Sequence, residues 1–207
     1  MELRDRIINE TISLASKKSC KDITMDEISQ RLGISKRTLY EQFSDKSSLF
    51  ENCLNYSFEF IKNDLNSIIE DANNSLISLI RIIQKAAISF PVRCDLIHDF
   101  EKYYPQVYNN TFVKQVNYIK VEILEKLVDR VVENGYFFKD SDFNLFHNII
   151  QLNLLYATRS SYIEKNPKYT SEQLSNIHLL IIVRGFATQE GIKIIDKYKD
   201  TLKIISK

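Results

Sequence analysis

Apolar residues recur every three or four positions along most of the chain, which is the spacing that one face of an α-helix requires. The clearest run contains Phe50, Leu54, Phe58, Ile61, Leu65 and Ile68. The same spacing predicts a first helix over about Leu3–Lys17 and short helices that begin near Thr24 and Ser35. The pattern therefore predicts an all-α protein.

Glycine, proline and capping residues predict where these helices begin and end. Thr24 lies three residues before Glu27, which is the spacing of a capping box, and Gly33 is expected to end the helix that follows. Pro91 is expected to stop the fifth helix, because proline lacks the N–H group that a helix interior needs. Pro105 is expected to stop a short helix after it.

Two long helices near the C-terminus are apolar on more than one face. The first is expected to begin after a cap at Asp140 or Ser141 and includes Phe143–Tyr156. The second is expected to begin at Thr170 and includes the wholly apolar stretch Leu179–Val183. A helix on the outside of a monomer has a polar stripe, so these two are either central to the fold or packed against a second chain.

Composition agrees with helices and argues against several classes of protein. The 207 residues include only four glycines and three prolines, where average usage would give about 25. This scarcity argues against a β-sandwich, a Rossmann sheet and a glycine-rich phosphate loop. The net charge of +1 indicates no general attraction to nucleic acid. We expect a cytoplasmic protein, since neither a signal peptide nor a membrane-spanning stretch is recognisable.

Side chains for catalysis or metal binding show no recognisable pattern. The three cysteines are widely spaced without a CxxC pair, and the three histidines lie on different predicted helices. No metal-ligand spacing, phosphate loop or GxSxG elbow is present. We therefore expect no enzyme activity, no cofactor and no metal.

The strongest functional candidate is the segment from Thr24 to Tyr40. Two short helices flank the sequence Gly-Ile-Ser, which is typical of a helix-turn-helix, and the second helix exposes its first turn. In such motifs this end enters the major groove of DNA. The predicted DNA-contacting residues are Thr24, Ser35, Lys36, Arg37, Thr38, Tyr40 and Lys46. Spacing alone leaves a purely structural helical hairpin equally open.

The run Ile23–Phe50 resembles the DNA-binding signature of the tetracycline-repressor (TetR) family of bacterial transcription regulators. The matched positions are Thr24, Ile28, Gly33, Ile34, Ser35, Thr38, Leu39, Tyr40, Phe43, Lys46 and Leu49. The resemblance implies an N-terminal three-helix helix-turn-helix DNA-binding domain, residues 1–46, and a C-terminal helical ligand-binding and dimerisation domain, residues 47–207. It also implies a homodimer that binds a double-stranded palindromic operator and an unknown small-molecule effector, with no membrane partner.

The resemblance assigns roles within the motif. Thr24, Tyr40 and Lys46 are expected to hold phosphates, Ser35 to cap the second helix, and Lys36, Arg37 and Thr38 to face bases or nearby phosphates. The sequence departs from the family in three places. Ser19 and Cys20 replace a glycine and an aromatic residue, Arg37 stands where a small residue is more usual, and Gln42 replaces a common histidine.

The resemblance also implies a ligand pocket and a dimer interface. The candidate pocket residues are Phe58, Ile61, His98, Tyr103, Tyr104, Tyr108, Phe112, Gln115, Asn153 and Tyr156. For any individual residue an ordinary place in the core is the favoured interpretation, and the pocket as a whole is supported by the resemblance rather than by spacing. The candidate interface residues are Phe146, Ile150, Leu154, Ile177, Ile181 and Arg184.

The leading hypothesis is a repressor whose ligand tilts the long fourth helix and carries the two DNA-binding heads out of register with the operator. The competing hypothesis is a helical ligand-binding or protein-interaction dimer that does not bind DNA specifically. The retained side chains of Thr24, Lys36, Arg37, Tyr40 and Lys46 favour DNA binding.

Overall fold

The computed structural model describes the backbone of residues 2–158 and 171–199, and the side chains of these residues except 87–95, 153–158, 171–172 and 199. The first half contains α1 (Leu3–Ala15), a 3-10 turn (Cys20–Asp22), α2 (Met25–Leu32), α3 (Lys36–Gln42), α4 (Lys46–Asp71) and α5 (Ser75–Tyr103). Next comes α6, in five consecutive segments, Pro105–Val107, Tyr108–Val113, Lys114–Tyr118, Ile119–Glu125 and Lys126–Glu133, of which the second and fourth are π-helical. The last elements are α7 (Phe143–Thr158), α8 (Ser171–Phe186) and α9 (Gln189–Lys199). Every regular element in the described ranges is a helix, which confirms the predicted all-α class.

The helix-turn-helix has the predicted caps. The Thr24 hydroxyl accepts a hydrogen bond from the backbone N–H of Glu27 at 3.1 Å, and α2 begins directly after it. Gly33 ends α2 with a φ of +66°, a left-handed conformation that favours glycine. The Ser35 hydroxyl accepts from the backbone N–H of Thr38 at 3.0 Å and caps α3.

The fifth helix does not stop at Pro91, so that prediction is wrong. α5 continues from Ser75 to Tyr103. Proline fixes φ near the helical value, so a helix can pass through it at the cost of one backbone hydrogen bond, about 3 kcal/mol. The proline instead marks the point where the chain passes from one compact unit to the other. Pro105 does end the helix, since Tyr104 leaves helical geometry with a φ of −136°.

The cap of α7 also differs from the prediction. Asp142, rather than Asp140 or Ser141, accepts hydrogen bonds from the N–H groups of Asn144 and Leu145, at 2.7 and 3.2 Å. The N–H of Ser141 is bonded to the carbonyl of Phe138, so Ser141 still belongs to the preceding turn. The predicted start of the next helix at Thr170 lies outside the described residues.

One compact unit contains residues 1–63 and 92–119. Its core includes buried side chains from each of α1 to α4, namely Ile7, Leu14, Ile28, Leu39, Phe43, Leu49 and Phe50. The Phe50 ring meets the rings of Phe100 and Tyr104 edge-on, with centroids 5.4 and 4.9 Å away. The first three helices therefore share a core with the end of α5. The boundary predicted after residue 46 separates a DNA-binding domain from a ligand-binding and dimerisation domain. That functional boundary stays a prediction.

The other compact unit contains residues 64–91 and 120–207. The Phe146 ring on α7 lies 5.5 Å from Phe137 and 5.1 Å from Phe186 on α8. At Gly191 on α9, a Cβ atom would lie 2.2 Å from the carbonyl oxygen of Tyr136, so this close approach requires glycine. Among the described residues, no helix combines the length and apolarity that crossing a membrane requires.

Candidate nucleic-acid interface and ligand cavity

The start of α3 is the exposed edge of the helix-turn-helix. Leu39 and Phe43 anchor the helix in the core with exposed fractions of 0% and 2%. The opposite face carries Arg37, whose side chain is 89% exposed, and Tyr40, which is 49% exposed. A charged fork and an aromatic hydroxyl therefore project from a helix whose orientation is fixed by buried side chains.

Both cations at the start of α3 are paired with carboxylates. Lys36 binds Asp26 on α2 with its Nζ atom 2.5 Å from Oδ2, and Arg37 donates from Nε to Glu41 at 3.0 Å, one turn along α3. All four side chains are exposed. Exposed ion pairs of this kind contribute about 0–1 kcal/mol to stability, so neither pair prevents its cation from contacting a further anion.

Lys46, at the first position of α4, is held closer to the protein. Its ammonium group donates to the carbonyl oxygen of Lys21 at 3.1 Å and lies 5.5 Å from the ring centroids of both Phe50 and Tyr104. Burial lowers the pKa of Lys46 from its ordinary value. Its position couples the 3-10 turn before α2 to the aromatic cluster at the end of α5.

Asp99 on α5 fixes the same 3-10 turn from the other side. Its Oδ2 atom accepts from the backbone N–H of Cys20 at 2.9 Å and lies 3.7 Å from the Cys20 sulfur. Burial, and next the negative charge of Asp99, raises the pKa of the Cys20 thiol to about 12. The thiol is therefore protonated at neutral pH. Cys20 thus meets a carboxylate that sequence reasoning had not linked to it, whereas the Ser19 hydroxyl accepts from the backbone N–H of Lys21 at 3.3 Å.

Arg4 on α1 connects the end of α3 with α4. Its guanidinium donates to the Gln42 carbonyl and to the Asn52 side chain, both at 2.8 Å. The same group lies 4.4 Å from the centroid of the Phe43 ring. Arg4 thus fixes the end of α3 against α4, and sequence analysis missed it because its partners are distant along the chain.

A small apolar cavity of about 230 Å³ lies within the unit that contains the helix-turn-helix. Three of the predicted pocket residues, Phe58, Ile61 and Phe112, line it. The lining residues that sequence analysis did not select are Ile12, Ser16, Leu54, Ser57, Leu96, Ile97 and Phe100. Ile12 lies on α1 and Ser16 is the C-cap of that helix, so the cavity reaches the first of the three N-terminal helices.

The other predicted pocket residues have different surroundings. Tyr103 and Tyr104 line a separate, polar groove of about 500 Å³ with Asp45 and Glu51. The remaining three described side chains line neither space: Tyr108 stacks on Phe112, Gln115 donates to Asn55 at 3.1 Å, and His98 is exposed. The side chains of Asn153 and Tyr156 lie outside the described residues.

The predicted interface residues also divide into groups. Phe146 and Ile150 are buried inside the unit, at 3% and 8% exposure, whereas Ile181 is 63% exposed. Ile177 is half-buried, and Arg184 forms an ion pair with Asp196. The side chain of Leu154 lies outside the described residues. On α7, Leu145 and Leu152 are also exposed, at 53% and 66%.

Metal-binding groups do not cluster in the described part of the chain. Among the side chains searched there, no three or more His, Cys, Asp or Glu residues lie close enough together to hold a metal ion.

Comparison with known families identifies the N-terminal segment. A sequence model described as bacterial regulatory proteins, tetR family, matches residues 7–53. The matched segment runs from α1 to the first turns of α4 and includes the exposed start of α3.

Comparison with curated proteins identifies two staphylococcal relatives, both described as the biofilm operon icaADBC HTH-type negative transcriptional regulator IcaR. The chain is 35% identical to the Staphylococcus epidermidis protein over 63 residues, which are 28% of this chain and 34% of that relative. It is 26% identical to the Staphylococcus aureus protein over 106 residues, which are 51% of this chain and 52% of that relative. The matched part thus spans about a third to a half of the relatives' length.

Comparison with solved structures covers almost the whole chain. The crystal structure of the TetR family transcriptional regulator PfmR from Thermus thermophilus matches with a TM-score of 0.63 and 20% identity, over 87% of this chain and 98% of that one. The fold, a helix-turn-helix head followed by a helical domain, is therefore shared beyond the segment that the family model matches.

Proposed function

We propose that this chain is a member of the TetR family of bacterial regulatory proteins, and that it is a repressor that binds a palindromic operator as a homodimer and is released by a small molecule. The observation that carries the proposal is the exposed start of α3, which lies within residues 7–53, the segment that the family model matches. Arg37 and Tyr40 are exposed there on a helix that buried side chains hold in place. The similarity to IcaR, described as a negative regulator, supports repression. A protein with this function acts in the cytoplasm, where the bacterial chromosome lies.

The candidate DNA-contacting residues divide into supports and contacts. The hydroxyls of Thr24 and Ser35 cap α2 and α3, and the Thr38 hydroxyl is 2.8 Å from that of Ser35, so these three orient the motif. Arg37 and Tyr40 project from it, and Lys36 lies beside them in its pair with Asp26; these three would meet bases or phosphates in the major groove. Lys46 would reach a phosphate with the ammonium hydrogens that the Lys21 carbonyl does not occupy.

Selection of bound duplexes from a random DNA library tests this proposal. We expect the wild-type protein to enrich an inverted repeat whose half-sites lie about 34–36 Å apart, or a multiple of that distance. Replacing Lys36 and Tyr40 together by alanine should remove the enrichment while the protein still unfolds cooperatively, because neither side chain belongs to the buried core. Glu122→Gln, in an exposed ion pair of the other unit, is the control and should enrich the same repeat. A wild-type protein that enriches no sequence would contradict the proposal.

The homodimer part of the proposal rests on exposed apolar side chains. Leu145 and Leu152 lie on α7 and Ile181 lies on α8, and the two helices pack against each other. Large exposed apolar side chains on two helices that pack together are typical of a surface that a partner covers. We therefore build the interface on these three residues with Ile177, rather than on the buried Phe146 and Ile150.

The effector part of the proposal places an uncharged, largely apolar molecule in the cavity beside α1. None of the described residues that line it carries a charge, so a charged ligand would lose its hydration without gaining a partner. The Ser16 and Ser57 hydroxyls already donate to the carbonyls of Ser13 and Cys53, both at 2.9 Å. Only their oxygen lone pairs remain, so the preferred polar group on the ligand is a hydrogen-bond donor.

Two probes with the same ring test that ligand class. We expect 2-naphthylmethanol to raise the unfolding temperature and 2-naphthoate to leave it unchanged, because only the carboxylate must be buried with its charge. Ser57→Leu fills the cavity and should remove the effect of the alcohol. Equal binding of both probes, or binding that survives Ser57→Leu, would place the ligand elsewhere.

Release from DNA follows from the position of this cavity. Ile12 lies on α1, which packs on α2, and Ser16 caps the end of α1. The lining residues from Leu54 to Ile61 lie on α4. A ligand would therefore contact both the head and the long helix that continues from it. A coupling of about 1–3 kcal/mol between ligand and operator lowers the affinity for DNA by about 5- to 150-fold.

A further inference from the structure

Glu41 lies on the DNA-facing helix although its negative charge repels phosphate. Resting on the proposed DNA-binding function, we infer that Glu41 is a positioning residue that aims Arg37 at a guanine in each half-site of the operator. Such a role requires the Glu41 carboxylate to bind a nitrogen of Arg37 that does not itself read the base.

Glu41 binds the inner nitrogen of the Arg37 guanidinium. Its Oε1 atom accepts from Nε at 3.0 Å, one helical turn along α3. Arg37 has no other hydrogen-bonding partner among the described residues, so both Nη atoms remain available. These two atoms form the flat fork that donates to O6 and N7 of guanine, the most common specific contact in the major groove. The ion pair therefore fixes the long side chain while leaving its reading edge open.

The neighbouring cation is held in a different way. Lys36 is bound by its terminal Nζ atom to Asp26 on α2, at 2.5 Å. Its other two N–H donors are on the same nitrogen, so the pair with Asp26 on α2 restricts the whole donor group. Of the two adjacent cations, only Arg37 is thus both supported and free at its tip.

The cost of Glu41 is weaker binding to DNA in general. Its side chain is 56% exposed on the recognition helix, so a phosphate backbone nearby would be repelled. Removing such a charge should strengthen binding to any sequence. If Glu41 also aims Arg37, its removal should at the same time weaken the preference for one base. Tighter binding to any DNA together with a weaker base preference therefore distinguishes a positioning role from a simple effect of charge.

Competition binding on the selected operator and on single-base variants of one half-site measures both effects. We expect the wild-type protein to prefer guanine at one position by about 5- to 150-fold over other bases. Arg37→Ala should abolish that preference. Glu41→Ala should reduce it at least threefold while tightening binding to random DNA. Glu41→Gln should be intermediate, because its amide oxygen still accepts from Nε.

Three further variants distinguish a positioning role of Glu41 from other causes of a changed base preference. Glu41→Ala added to Arg37→Ala should not change base preference further, since the aimed group is already absent. Asp26→Asn removes one negative charge from the same surface and should tighten binding without changing the preference. Glu122→Gln should change neither quantity.

An unchanged guanine preference in Glu41→Ala, with the wild-type preference present, would overturn the inference alone. A wild-type protein without any sequence preference would instead overturn the proposed function on which the inference rests. Thermal unfolding of each variant shows that the folded protein was compared.

Discussion

Gly191 is the residue at which the backbone leaves least room for a side chain. An added Cβ atom would lie 2.2 Å from the Tyr136 carbonyl oxygen, which is a backbone atom that cannot rotate away. Thr188 binds the carbonyls of Gly135 and Tyr136 beside it, so the approach is fixed on both sides. The fit of α9 therefore depends on this glycine.

Gly191→Ala should lower the free energy of unfolding by about 1–3 kcal/mol, because the overpacked site must shift. Gly185→Ala is the matched control, since a Cβ there meets nothing within 4 Å. Alanine in that helix should raise stability by about 0.5–1 kcal/mol. Denaturant unfolding at one protein concentration measures both, and equal effects of the two substitutions would contradict the account.

Local residue roles were predictable from the sequence, whereas distant partners were not. The caps at Thr24 and Ser35 involve residues three positions away, so spacing alone identified them. Arg4 reaches partners 38 and 48 positions away, and Asp99 reaches Cys20 across 79. A single sequence contains no signal for contacts that only the folded chain brings together.

At the scale of the helices, the spacing of apolar residues predicted whole helices reliably. Proline and capping residues predicted the ends of those helices less reliably. The apolar steps along α4 predicted one long helix, and the structure has it as Lys46–Asp71. Pro91 did not end α5, because packing can offset one missing hydrogen bond in a helix of 29 residues. The cap of α7 moved to Asp142, since several neighbouring polar residues were chemically suitable and only the turn decided between them.

Protonation of His147, which lies on α7, opposes folding. Burial, and next the positive charge of Lys120, lowers the pKa of His147 below its ordinary value of 6.5. The unfolded chain therefore takes up this proton more readily than the folded one. The stabilising contribution is complete above about pH 6.5 and is lost as the pH falls through the lowered pKa.

His147→Gln should make the unfolding free energy depend less on pH between about 7.5 and 5.5. The wild-type protein should lose more stability over this range, and denaturant titrations at the two pH values give the comparison. If both proteins lose the same amount, the pKa of His147 is not a source of acid sensitivity.

At the scale of the whole molecule, the pocket was the part that the sequence described least well. Phe58, Ile61 and Phe112 were expected there, but α1 was not, because Ile12 and Ser16 resemble ordinary core and surface positions. A cavity is a property of several helices together. Its location within the same compact unit as the helix-turn-helix became visible only in the structure.

The proposed dimer depends on Leu145, Leu152 and Ile181, the exposed apolar residues of α7 and α8. Leu152→Glu should convert a wild-type dimer into a monomer, because a charge would have to be buried without a partner. Gln151→Glu, on an exposed neighbouring position of the same helix, is the control and should remain dimeric. Sedimentation velocity at micromolar concentration distinguishes the species. A wild-type monomer, or a dimer that Leu152→Glu leaves intact, would contradict this interface.

The central claim is that the exposed start of α3 reads a specific DNA sequence. Fluorescence anisotropy at about 150 mM salt, with the selected operator and a shuffled duplex of the same composition, tests it most directly. We expect a Kd of about 10⁻⁸ M or tighter for the operator and binding at least about 10³-fold weaker to the shuffled duplex. Affinities within a few-fold of each other on the two duplexes would contradict it.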